Sequence, residues 1–415
     1  MDTQRAPQPQ HPRDTPWTVR GVTAEEFPDV VGVYAEPMIL SAEDELTTER
    51  EHPLAEHDRI LVALDGDRMV GTTASHTLEM TLPGGPRTVA GVTGVGVWPT
   101  HRRRGILTAL MTRQIADIHA RGEAVAAMWA SEGAIYGRYG FGLAAFELSA
   151  RIRAPYAVLD SAAQGDPELT VELLPAAQAR PILARLHREA ATTRIGQFQR
   201  GDSWWGRILG SGAPWAAVVS GPDGPLGYAL YATTNGWSED GTDSLVTVKE
   251  VVSATPAARV ALYQHLFSRD LVTRIAFSAL PADDPLTLLV ADRNRLVEQT
   301  SGSLRVRLVD LPRALTDRPY AAPVEVTMAV TDHYAPWNNG TWHLSADRDG
   351  ATCERVPRCA DLSLAVVHLG SVHLGQRSVS ALVEAGLVHE HTPGAAARLD
   401  TALHVPRAAF CGQLF

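Results

Sequence analysis

The sequence predicts an α+β protein of three consecutive units, on three observations. A series of β-runs feeds a strand, a basic glycine-bearing turn, an amphipathic helix and a further strand within residues 92–130. The same element order recurs after a Gly/Pro/Asp-containing stretch at 160–167, without the basic turn. A third set of strands followed by helices begins near Arg305. With 415 residues, 45% hydrophobic and 20% charged, the chain is long enough for two or three cores.

Taken in order, residues 17–22 read as a first strand. Residues 24–34 form a helix with Phe27, Val30, Val31 and Tyr34 on one face. The acidic stretch 36–56 reads as a solvated helix pair, a few of whose carboxylates line the approach of an amine. Residues 59–64 and 68–73 pair across Asp65-Gly66-Asp67, and 77–82 returns as 88–97 across Gly84-Gly85. The helix after the basic turn carries Leu107, Leu110, Met111, Gln114, Ile115 and Ile118 at i, i+3, i+4 spacing and stops at Gly122. An apolar strand, 124–130, follows. A central sheet with helices on both faces is the expected result. The first unit is drawn over 16–155, ending after the run at 146–150, and the Pro/Gln-biased 1–15 reads as a disordered leader.

The second unit, 156–303, repeats strand (169–173) and helix (176–190), the latter beginning at Pro181 if that proline marks its start. A hairpin at 215–219 and 226–233 turns through Gly221-Pro222-Asp223-Gly224-Pro225. Strand 244–252, helix 257–267 and strand 272–277 complete it. Residues 252–257 hold the place of the basic turn but have no arginine cluster, so this unit is expected to bind no coenzyme. The third unit, 304–415, opens with strand 304–308 and helix 311–315. Strand-like runs at 324–330, 340–346 and 362–369 and helices at 374–386 and 395–403 follow.

Composition narrows the function. A net charge of −10 disfavours nucleic acid as a partner and suits a cationic one. No run approaches the roughly 18 apolar residues of a membrane span, and the N-terminus lacks an apolar core of the secretory kind. The three cysteines have no metal-ligand pairing, which predicts no metal, a reduced cytoplasmic protein and buried free thiols; a Cys353–Cys359 pairing is the alternative.

The chemistry concentrates at Arg102-Arg103-Arg104-Gly105. The first turn of a helix offers free N–H groups and the positive end of the dipole to an anion. Gly105 lets backbone approach the ligand, and the arginines add charge-assisted hydrogen bonds. On its own the turn fits either a pyrophosphate-bearing coenzyme or a solvated basic turn that binds nothing.

The wider stretch VGVWPTHRRRGIL resembles the acetyl-CoA loop of the GNAT acetyltransferases, whose pattern is Arg/Gln-x-x-Gly-x-Gly/Ala after a bulged strand. Here it is Arg102-x-x-Gly105-x-Leu107, departing in the last place. With ASEGAIYGRYGFG in register behind it, the chain more closely resembles the Eis (enhanced intracellular survival) family of N-acetyltransferases, and the resemblance continues to the last residue. It implies two tandem GNAT-like domains, the second degenerate, and a sterol-carrier-protein-like third domain that brings the C-terminus to the active site. It further implies an acetyl-CoA co-substrate, small amine acceptors of aminoglycoside type modified at several positions, with lysine side chains as a further acceptor class, and a homohexamer. No nucleic acid and no membrane partner is implied.

Acetyl transfer from a thioester needs an amine that loses a proton, a polarised carbonyl and a protonated leaving thiolate. The resemblance assigns coenzyme contacts to Val95, Gly96 and Val97 on the bulged strand. It assigns others to Arg102, Arg103, Arg104, Gly105, Ile106, Leu107 and Thr108 on the turn, with Ser131 and Glu132 in the second motif. It makes Tyr136 the general acid, leaves Tyr139 as packing, and makes the main-chain carboxylate of Phe415 the general base. Three departures touch the acceptor: Leu414 where the family's best-known member is acidic, Gly94 where it has a bulky aromatic, and Trp129 where it has a histidine. A lipid- or ligand-binding protein with an idle GNAT unit, or an acyltransferase for a different amine, are the alternative readings.

Overall fold

The continuous apolar run at 60–63 buries both sides of one strand, and this two-sidedness organises the first unit. In the computed structural model, which describes residues 17–163, 165–212, 214–238 and 241–415, Ile60 and Val62 pack with Val30 of helix Phe27–Met38. Leu61, Ala63 and Val70 pack with Ile106 and Leu110 of helix Ile106–Ala120. A seven-stranded sheet thus carries helices on both faces, as expected. Its order is Thr18–Gly21, Ile60–Asp65, Arg68–Leu82, Gly85–Val97, Val125–Met128, Arg305–Leu308, Gly142–Leu143. The leader at 1–15 lies outside the described residues.

The second sheet also has seven strands, ordered Val297–Gly302, Phe146–Arg153, Arg274–Pro281, Leu245–Ser253, Gly224–Thr234, Trp215–Gly221, Thr170–Pro175. A two-sided strand again serves two helices. Ala216 and Val218 face Leu183 and Leu186 of helix Ala176–Ala191, while Ala217 and Val219 share a core with Leu262 and Tyr263 of helix Pro256–Phe267. The third unit is a five-stranded sheet, ordered Ala351–Arg355, Gly340–Ala346, Val324–Thr331, Leu362–Ala365, His389–Glu390.

Two strands leave the units that their sequence positions suggest. The run at 146–150, read as the end of the first unit, belongs to strand Phe146–Arg153, which pairs with Arg274–Pro281 and Val297–Gly302 in the second sheet. The run at 304–308, read as the start of the third, pairs antiparallel with Val125–Met128 in the first sheet. Alternation says that a strand is half-buried but not against which core. The exchange is fixed by contacts: Leu148, Ala150 and Ile152 enter the second core, and Arg307 makes a buried ion pair with Asp332 at 2.8 Å.

Smaller differences have local causes. Helix Ala176–Ala191 runs through Pro181 rather than starting there, because Ala176 and Ala179 are already buried. The helix expected at 374–386 is confined to Val379–Glu384, after Gly375 at φ +75°, and the strand-like run at 362–369 pairs only over Leu362–Ala365 before turning into helix Val366–Val372. Cys353 and Cys411 are buried free thiols, whereas Cys359 is exposed, and none is paired.

Candidate active site

A bulge marks the site. Thr72 pairs with Gly96 and Ala74 with Thr93, so Gly94 and Val95 together oppose Thr73. Gly94 takes φ +57°, a conformation that glycine adopts without strain. Gln114 pins the spot from the neighbouring helix, accepting from the Thr73 hydroxyl at 2.9 Å and donating to the Ala74 carbonyl at 2.9 Å. This accounts for a buried glutamine on an otherwise apolar helix face. The parallel ladder to Val125–Met128 ends at Val92–Met128, while strand Gly85–Val97 runs on. Val95, Gly96 and Val97 therefore lie beyond the fork, with no strand partner on that edge among the described residues, and they border a cavity of about 1390 Å³.

The basic turn closes one end of this cavity. Gly105 caps helix Ile106–Ala120 at φ +85°, with no side-chain cap and no acidic residue in the first turn. The leading N–H groups at Ile106, Leu107 and Thr108 thus remain available to an anion at the cavity wall. Arg102 and Arg103 border the cavity, exposed and without an ion-pair partner among the described residues; Arg103 holds φ +62°. Arg104 points elsewhere. Its guanidinium lies 4.8 Å from the Trp17 ring centre and 3.8 Å from Asp65, and its carbonyl accepts from the Trp17 indole at 2.7 Å. Two free arginines, a helix N-terminus and a glycine together fit a pyrophosphate.

Tyr136 borders the same cavity, as do Ser131 and Glu132. Burial first, then the nearby Glu132 carboxylate and Tyr139, push its phenol up to about 12, so it stays protonated at neutral pH. Its loop is held from beneath: Tyr139 is buried, its hydroxyl lies 3.2 Å from that of Thr108, and its carbonyl accepts from the buried Arg307. Tyr139 is the packing tyrosine that the sequence suggested.

The C-terminus reaches the same cavity. Gly412, Gln413, Leu414 and Phe415 all border it. The Phe415 ring meets Phe198 edge to face at 5.8 Å and sits against Gly91, where an added Cβ would lie 3.1 Å from it. A half-buried phenylalanine contributes on the order of 1 kcal/mol. The tail is also tied upstream: the Phe410 N–H donates to Ile195 at 2.8 Å, and Arg194 donates to the Ala408 carbonyl at 2.8 Å while paired with Asp283.

Further wall residues come from the second unit, whose aromatics the sequence reads mainly as core, and from the acidic stretch expected near the approach of an amine. Trp204 stacks edge-on with His76 at 5.5 Å and with Phe198 at 5.2 Å. Burial pulls His76 below its ordinary range. Of the acidic stretch, Glu45, Glu49 and Glu56 border the cavity; Glu45 accepts from the Tyr34 hydroxyl at 2.8 Å and Glu49 pairs with Arg207. Nothing in the spacing of Trp204 or Arg207 marks them as site residues, because the second unit reaches this wall only through folding. Among the described residues no group of three or more His, Cys, Asp or Glu is placed to hold a metal, and no helix is long and apolar enough to cross a membrane.

Residues 18–144 and 196–308 each match an acetyltransferase (GNAT) domain, and residues 311–412 match a sterol carrier protein domain. An uncharacterized N-acetyltransferase of Streptomyces coelicolor is 37% identical over 342 residues, covering 80% of this chain and 83% of that protein. N-acetyltransferase Eis of Mycobacterium tuberculosis is 31% identical over 358 residues, covering 81% and 83%. The crystal structure of Eis1 from Mycobacterium abscessus superposes with a TM-score of 0.83 at 32% identity, over 96% of this chain and all of that one.

Proposed function

We propose, from the premise that this chain belongs to the Eis family of GNAT N-acetyltransferases, that it acetylates aminoglycoside-type polyamines at more than one amino group. The enzyme class follows from the family; the acceptor and the residue roles are the proposal. Acetyl-CoA supplies an acetyl thioester. The helix start at Gly105, with Arg102 and Arg103, is suited to hold the diphosphate, and Arg104 supports the turn through Trp17 and Asp65. The free strand edge at 95–97 offers backbone dipoles to the carbonyl as charge develops on its oxygen. The Phe415 carboxylate takes the proton of the incoming amine, and Tyr136 holds one for the departing sulfur.

One observation carries this reading: the basic turn, Tyr136 and the chain terminus border a single cavity, though they arise from the first and third units. An acidic rim at Glu45, Glu49 and Glu56 suits a polycation. Gly94, Trp129 and Leu414 shape the acceptor side differently from the family's best-known member. An assembly of six copies and a cytoplasmic location belong to the same proposal on the family's ground alone.

The test is release of free thiol from acetyl-CoA with kanamycin or tobramycin, against a blank without amine. Turnover well above the blank supports the reading. Turnover with other amines but neither antibiotic would keep the chemistry and replace the acceptor. Thermal stabilisation by acetyl-CoA with no turnover across an amine panel would make the protein a ligand-binding one.

A further inference from the structure

Of the 37 lysines and arginines in the chain, one is a lysine, Lys249. It lies on the wall of the cavity just described. Its position is set by a second bulge. In strand Leu245–Ser253, Val248 pairs with Tyr231 and Glu250 with Leu230, so Lys249 has no residue opposite. The parallel ladder to Arg274–Pro281 also ends at Val248–Phe277, directly before it. The second sheet thus repeats the fork and bulge of the first, and Lys249 stands at the counterpart of Gly94 and Val95. Bulges redirect side chains and recur beside active sites.

Its neighbours are tied down and it is not. Glu250 is held by Arg200 at 2.8 Å and by the Tyr228 hydroxyl at 2.7 Å. Arg207 is held by Glu49. Lys249 is exposed to the cavity with no hydrogen bond or ion pair among the described residues, on a flexible four-carbon stem. The arginines cannot act as nucleophiles because they do not deprotonate. Lys249 is therefore the sole side-chain amine of the protein, and it opens onto the space in which amines are acetylated.

We infer that Lys249 is a self-acetylation site, its amine taking the acceptor's place when the cavity holds acetyl-CoA alone. This rests on the acetyl-transfer reading above. The Nζ lone pair forms a bond to the thioester carbonyl carbon and the carbon–sulfur bond breaks. One ammonium proton goes to the terminal carboxylate and on to water before attack, a second leaves the nitrogen for water as the tetrahedral intermediate collapses, and the sulfur takes the Tyr136 proton, which solvent restores. The net change is acetyl-lysine, free coenzyme thiol and one released proton. It removes the one cation of the second unit that, among the described residues, stands unpaired on this wall, where a polycationic amine would otherwise meet repulsion.

Intact-protein mass spectrometry of the full chain with acetyl-CoA, followed by peptide mapping, tests this. The expected result is one added acetyl group on Lys249, absent from Lys249→Arg and formed about 100-fold more slowly in Tyr136→Phe. The rate constant should not depend on protein concentration. An adduct that forms equally fast in Tyr136→Phe, or whose rate constant rises in proportion to protein concentration, overturns the inference. So does an unmodified Lys249 in a preparation that acetylates tobramycin, which leaves the function standing; failure of both reactions removes the two together.

Discussion

At the residue scale, Tyr136 has the most direct consequence. Its phenol is held near 12 by burial and by Glu132, so the proton that its proposed role requires is present across the usable pH range. Replacing it by Phe should lower kcat by about 100-fold or more while leaving coenzyme affinity nearly unchanged. Steady-state kinetics with a separate binding titration checks this. The wild-type rate should show no alkaline fall from Tyr136 below about pH 10, because deprotonation is displaced upward. A fall well below that pH that disappears in Tyr136→Phe would contradict the assignment. Tyr136 was legible in the sequence through the motif around it. Lys249 was legible only as a composition count, and its meaning came from the cavity it faces.

At the scale of the element, the C-terminal tail is packed against the cavity wall. The Phe415 ring against Phe198 and Gly91, with the Arg194 and Phe410 hydrogen bonds upstream, fixes where the chain ends. Extending the chain beyond Phe415 with a short tag replaces the carboxylate by an amide and moves the charge. Activity should fall at least tenfold, with the thermal midpoint changed by no more than a few degrees. Full activity of the tagged protein would remove Phe415 from the base role. The helix Ile106–Ala120 and the strand before it were readable from periodicity. The bulge at Gly94 was expected only by resemblance, since the register shift depends on how strand Arg68–Leu82 pairs with it.

At the scale of the whole molecule, the exchanged strands make the units interdependent. Arg305–Leu308 covers the edge of Val125–Met128, and the Arg307–Asp332 pair locks it from the third unit. A chain cut after residue 303 would bare that strand edge and lose Arg307 beneath the Tyr136 loop. We expect little soluble protein from such a truncation, and a single cooperative thermal transition from the full chain rather than three. Calorimetry checks the second point; three separate transitions would show the units to be independent.

The sequence by itself determined the local elements, the three-part order, the anion-suited turn at Gly105 and the motif that holds Tyr136. These depend on spacing along one segment, where periodicity and turn chemistry act directly. Only the tertiary structure decided which sheet Phe146–Arg153 and Arg305–Leu308 join, that Arg104 turns from the cavity to Trp17, and that Trp204, Arg207 and Lys249 of the second unit wall the site. Those are long-range choices. A half-buried strand or an exposed side chain carries the same local pattern whichever surface it finally meets, so burial against a particular partner, not spacing, settles them.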